Sequence, residues 1–183
     1  MASKSHKMKL VMFRRICVVL LASVAVVGLF GVTSVSADPV DAAVVPEFQP
    51  APERSGVGRR VVYSTSKQFV WVINARDEVI RTFPVSGMKE QPLKGSYRVF
   101  SQSTKSFSPF EPGVTFRFMT RFAIGRNGYN IGFHEIPTKF GEPMQTVEQL
   151  GTPLGSGCLR SATADAKFIY RWAKPGTSVV VVP

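Results

Sequence analysis

The chain has 183 residues, 23 Lys+Arg against 12 Asp+Glu and a formal net charge of +11, a length for one domain plus an appendage. With 44% hydrophobic and 19% charged residues it can bury a core, which excludes disorder throughout. The scattered glycines and prolines exclude a collagen-like polymer, and no run of like charges is long enough for a nucleic-acid arm.

Residues 1–15 carry five basic side chains and no acidic one, and residues 16–32 are uncharged throughout. Val35 and Ala37 supply the small residues expected before a signal-peptidase cut. Residues 1–37 are therefore expected to be a secretory signal peptide that enters the membrane, with an uncleaved anchor as the alternative. Either way the remainder is exported to the cell envelope. Without residues 1–37 the chain keeps 18 basic and 12 acidic residues, a net +6. Such a surface is drawn to polyanions, which outside the membrane are wall polymers and headgroups, not nucleic acid. Cleavage also removes Cys17 and leaves Cys158 alone, so an internal disulfide is excluded.

Residues 38–57 hold four prolines and little periodicity, the composition of a linker. From Arg59 onward, RRVVYST, KQFVWVINA and VIRTFPV are β-branched and aromatic runs separated by polar turns, a meander. SYRVFS, VTFRFMT and YNIGFHE continue the strand character. In VTFRFMT, Val114, Phe116 and Phe118 alternate with Thr115, Arg117 and Met119, the period of a half-buried strand. Residues 136–157, with Pro137, Pro143, Pro153 and interspersed glycines, read as a long loop of the kind that carries function.

SATADAKFIYRWAK reads as a helix, with Ser161 or Thr163 as N-cap and Ala162, Ala166, Ile169 and Ala173 as its apolar stripe. Lys174-Pro175-Gly176 ends it, and TSVVVV is a closing buried strand. The expected fold is a mostly-β domain over residues 58–183 with one helix after the cysteine.

The chemistry concentrates at Cys158 and His134. Cys158 lies in GSGCLRS, where glycine-freed amides and a nearby helix N-terminus are expected to lower the thiol pKa and receive an oxyanion. His134, the one histidine outside the signal segment, ends a strand and is the available base for a thiol nucleophile. Glu135 points away from it on a strand, so a backbone carbonyl is the expected orienter of the imidazole. One Cys and one His fall short of a zinc site, so no metal and no cofactor are expected. No acids cluster for paired-carboxylate hydrolysis.

GFHEI, a loop, and then LGTPLGSGCLRSATADAKFIYRWAKPGTSVVVV resemble the catalytic domain of the L,D-transpeptidases, the YkuD-like domain of exported, actinobacterial-type cell-wall enzymes. RVVYSTSKQFVWVINARDEVIRTFPVSG resembles that domain's opening strands, and LKGSYRVFS its T-P-x-G-x-[FY] stretch with Leu93-Lys94 in place of Thr-Pro. The resemblance covers about residues 59–182.

It implies a β-sandwich-like fold and 3→3 crosslinking of peptidoglycan stem peptides through a cysteine thioester, with carbapenems as inhibitors. By position, Cys158 would be the nucleophile and His134 the base. Gly157 and Cys158 would supply oxyanion amides beside Ser156, and Arg160 would contact a stem carboxylate. The family's usual Ser-His-Gly-Cys reads Gly155-Ser156-Gly157-Cys158 here, so the motif histidine is a serine. The readings from other classes are a non-catalytic wall-binding module and a sortase-like protein-to-wall transpeptidase.

Overall fold

The structure, a computed structural model, describes residues 48–183. The expected signal segment, residues 1–37, and the first part of the linker lie outside the described residues. The strands are β1 (Arg60–Ser64), β2 (Phe69–Ile73), β3 (Val79–Pro84), β4 (Gly95–Arg98), β5 (Ser101–Phe107), β6 (Val114–Ile124), β7 (Asn130–Glu135), β8 (Thr138–Lys139), β9 (Glu142–Pro143), β10 (Leu159–Ser161) and β11 (Ser178–Val182). The helix is α1 (Thr163–Trp172).

Two sheets pack face to face. The first runs β3-β2-β1-β11-β4, with the closing β11 parallel to β1 and inserted between β1 and β4. In the second, β6 pairs with β5 along one edge and with β7 along the other, and β10 runs parallel to β7. The core joins Val61, Val70, Val72 and Phe83 of the first sheet to Phe122, Ile131, Phe133 and Leu159 of the second, with Ile169 from α1. Burial of this apolar surface is the main force holding the sheets together.

The outer face of the first sheet carries a second cluster, Val62, Trp71 and Ile73, with Ala51 packed against it. The Trp71 indole donates to the Gln49 carbonyl at 3.1 Å. The end of the expected linker therefore lies against the sheet instead of standing free.

Several local expectations are corrected. QSTKSF, too polar to show a core period, forms β5. The long loop contains the short pair β8–β9. The alternation in β6 breaks at Phe118, whose φ of 59° is left-handed. Beyond it Met119 turns into the core, 3% exposed, instead of facing out with Arg117. Neither Ser161 nor Thr163 caps α1; the N-cap is Ala162, with no side-chain cap bond. The Ser161 hydroxyl donates instead to the His134 carbonyl at 3.2 Å, and that of Thr163 to Glu135 at 3.2 Å. The expected stripe holds at Ala166, Ile169 and Ala173, all fully buried.

Candidate active site

Two parallel strands from distant parts of the chain build the site. β10 lies beside β7 in a register that pairs Leu159 with Phe133, Arg160 with His134 and Ser161 with Glu135. Paired residues point to the same face, so His134 and Arg160 project together, and Cys158 enters just ahead of them. The thiol donates to the Asn130 carbonyl, the first residue of β7, at 3.4 Å.

Glycines and one buried serine set the cysteine turn. A Cβ at Gly155 would come within 2.6 Å of the Cys158 carbonyl oxygen and 2.7 Å of that of Ser86, so no side chain fits. Gly157 has φ +135°, a conformation L side chains rarely adopt. On the far side of β10, Ser86 and Arg160 exchange two backbone hydrogen bonds of 2.8 and 3.0 Å. The buried Gln145 amide donates to the Ser86 hydroxyl at 2.7 Å. β10 is thus clamped between β7 and Ser86, and the turn carrying the thiol has little freedom. Among the described residues, no hydrogen bond takes the amides of Gly157 and Cys158, which stay available for an oxyanion.

His134 is buried, and its ring stacks on Phe116 with centroids 4.1 Å apart. Its Nδ1 lies 2.5 Å from the Glu135 carbonyl oxygen. Nδ1–H donating there leaves the Nε2 lone pair free to accept a proton. The backbone carbonyl is the orienter expected from the sequence. The Glu135 carboxylate faces away and accepts from the Arg117 amide and guanidinium at 2.7–3.0 Å. Burial, reinforced by the Arg160 charge, pushes the imidazole pKa down to about 4 against the upward pull of Glu135, so the ring is neutral at pH 7.

The expected lowering of the thiol pKa is corrected. Burial pushes the Cys158 thiol up, while the Gly132 amide and the Arg121 and Arg160 charges pull it down less strongly. The helix N-terminus contributes little, because β10 separates Cys158 from Thr163 and the dipole field falls off within a turn. The resting pair is a neutral thiol and a neutral imidazole.

Cys158, His134, Ser156, Gly157 and Arg160, the residues given catalytic or binding roles in the sequence, line one cleft of about 190 Å³. Ser156 is exposed, whereas Arg160 is half-buried. Sequence reasoning missed Asn130, Ser86, Gln145 and Arg121, which sit in no local pattern that marks them, and read Phe116 only as one face of a half-buried strand. At the rim, Phe110 and Tyr129 meet edge to face at 4.1 Å. The arrangement can attack a carbonyl with sulfur, hand the thiol proton to a nitrogen and hold the resulting oxyanion on backbone amides.

The family model of the L,D-transpeptidase catalytic domain (YkuD) matches residues 58–181. No curated protein matches the chain. Among solved structures, an L,D-transpeptidase in complex with imipenem is similar at 20% identity and TM-score 0.53, over 69% of this chain and 60% of that one. An L,D-transpeptidase from Stackebrandtia nassauensis is similar at 24% identity and TM-score 0.51, over 69% and 56%. L,D-transpeptidase 3 from Mycobacterium tuberculosis, with a faropenem-derived adduct, is similar at 18% identity and TM-score 0.50, over 70% and 61%. At these identities the likeness is one of fold, and the chain spans less than two thirds of those proteins' lengths.

Proposed function

Since the chain belongs to the L,D-transpeptidase catalytic-domain family, we propose that it forms 3→3 crosslinks between peptidoglycan stem peptides through a thioester on Cys158. The observation that carries this reading is the shared cleft. Its lining holds the Cys158 thiol, a buried neutral imidazole with a free Nε2 and two amides that no other group takes.

Sulfur attacks the carbonyl carbon of the third residue of a tetrapeptide stem, and the thiol proton passes to Nε2 of His134. The tetrahedral oxyanion rests on the Gly157 and Cys158 amides. Imidazolium returns the proton to the departing nitrogen, the C–N bond breaks and the terminal residue leaves as a free amino acid. The side-chain amine of a neighbouring stem's third residue then attacks the thioester. His134 takes its proton and returns it to sulfur, which restores the thiol and leaves a new amide.

Because thiol and imidazole both start neutral, proton transfer accompanies attack instead of preceding it. The Phe116 face and the Glu135 carbonyl hold the ring still for both transfers. The net +6 of residues 38–183 and the signal-like composition of residues 1–37 support a place in the cell envelope, where N-terminal sequencing of the protein should begin at Asp38.

Intact mass after incubation with a carbapenem and with a tetrapeptide donor tests the reading. One covalent adduct per chain is expected with each, and none in Cys158→Ala. The similarity to structures holding imipenem and a faropenem-derived adduct supports the choice of probe. A non-catalytic wall-binding domain would bind sacculi and form neither adduct.

A further inference from the structure

Among the described residues, ion pairs take two of the four cations that are not exposed, Arg60 and Arg81, together with the exposed Arg117. Arg60 meets Asp77, Arg81 meets Asp165 and Arg117 meets Glu135, each within 2.7 Å. Arg121 and Arg160 are different. Both are half-buried in the wall of the Cys158 cleft, and among the described residues neither has a carboxylate within ion-pair distance. Glu111, which also lines the cleft, is held by Lys139 at 2.6 Å. Glu111 acts on Arg160 only at a distance, so two partly desolvated guanidiniums without a carboxylate in direct contact stand beside the thiol, a receptor for an anion.

Arg121 is the more organised of the two. It projects from β6 at the position that pairs with Gly132 of β7, next to the strand segment that faces the thiol. Its guanidinium donates to the Ser103 hydroxyl at 2.7 Å and to that of Ser106 at 3.3 Å. Of five N–H donors these contacts use two, and both partners are neutral, so the charge is positioned without being neutralised. Holding the plane beforehand reduces the ordering cost of binding a planar carboxylate.

We propose that Arg121 is a specificity-determining residue which, together with Arg160, holds a free carboxylate of the acyl-donor peptide. The inference rests on the transpeptidase reading above. A tetrapeptide donor offers this chemistry at its C-terminus, one residue beyond the bond to be broken. A carboxylate on the side chain of the third residue is the other source.

Calorimetric titration of Cys158→Ser protein decides it, with three tetrapeptides: the free acid, its C-terminal amide and a form amidated on the third side chain. The free acid should bind at least about tenfold tighter than one of the two amides, and the weaker one names the carboxylate that is read. Adding Arg121→Ala should reduce that ratio to about one, and Arg121→Lys should restore part of it. Arg121→Gln, which keeps donors for Ser103 and Ser106, serves if the alanine variant melts early, and it too should lose the ratio. Equal binding of acid and amides, no binding of the acid, or a ratio untouched by Arg121→Ala or Arg121→Gln overturns the proposal. Thioester formation by the wild type is measured separately by mass. A thioester with an Arg121-independent ratio removes only this role of Arg121. An Arg121-dependent ratio without a thioester removes the transpeptidase chemistry and leaves the carboxylate recognition standing.

Discussion

His134 and Arg160 face each other in parallel register across β7 and β10, so an imidazole and a guanidinium share one side of the sheet edge. The cation lies close enough to lower the imidazole pKa further, in addition to the larger effect of burial. The consequence is an imidazole that stays unprotonated through the whole neutral range.

This neutrality has a stability signature. The His134 pKa is about 4 in the folded protein against 6.5 ordinarily. Between those values the unfolded chain takes up the proton more readily. The contribution is therefore complete above about pH 6.5 and is lost as pH falls toward 4, by roughly 3 kcal/mol in all. Melting temperature from pH 4 to 7 should fall less steeply on acidification in His134→Gln than in the wild type. Parallel profiles would show that the ring is not buried as a neutral base.

The thiol should behave oppositely in two assays. Alkylation by iodoacetamide needs preformed thiolate, and its midpoint should lie above the free-thiol value of about 8.5 because burial raises the Cys158 pKa. Carbapenem acylation uses His134 during attack and should be nearly flat from pH 6 to 8. An alkylation midpoint near pH 6 would mean a preformed ion pair.

Loss of the base should far outweigh loss of the motif serine. His134→Ala should slow single-turnover acylation at least about a hundredfold, the lower range for general acid–base catalysis. Ser156→Ala, at an exposed position, should cost about tenfold or less, and Ser156→His should be tolerated. Wild-type rates from a folded His134→Ala variant would sink the Cys158–His134 pair.

Glu135 separates orientation by backbone from orientation by carboxylate. Its carbonyl holds the His134 ring, while its carboxylate serves Arg117 and Thr163 on the other face. Glu135→Gln should lower stability by about 1–2 kcal/mol, as expected for weakening a hydrogen-bonded ion pair that is partly exposed. Acylation should stay within about threefold. A hundredfold loss in a folded variant would place the carboxylate in the proton path.

Gly155 tests the clamp on the cysteine turn. A methyl group there meets the Cys158 and Ser86 carbonyl oxygens, and that of Ser86 cannot move without opening the Ser86–Arg160 pairing. Gly155→Ala should lower stability by about 1–3 kcal/mol and slow acylation together. An unchanged urea midpoint would show that the turn is looser than its contacts imply.

Cys158 and His134 were legible in the sequence because each is the single residue of its type in residues 38–183. The strand runs and the Ala166–Ile169–Ala173 stripe were legible because local periodicity reflects one buried face. β5 was not, since QSTKSF lies on a largely solvated edge and carries no apolar period. Met119 was misread because a single left-handed residue, Phe118, reverses the alternation.

What the tertiary structure alone decided is the state and the company of Cys158 and His134. The pairing of β10 with β7 joins residues 26 positions apart, and no local pattern encodes it. It brings Arg160 beside His134, puts a β-strand where the helix dipole was expected to act, buries His134 and partly buries Cys158. Charge spacing along a chain says which groups exist. Desolvation, which here keeps thiol and imidazole neutral, depends on what the rest of the fold packs around them.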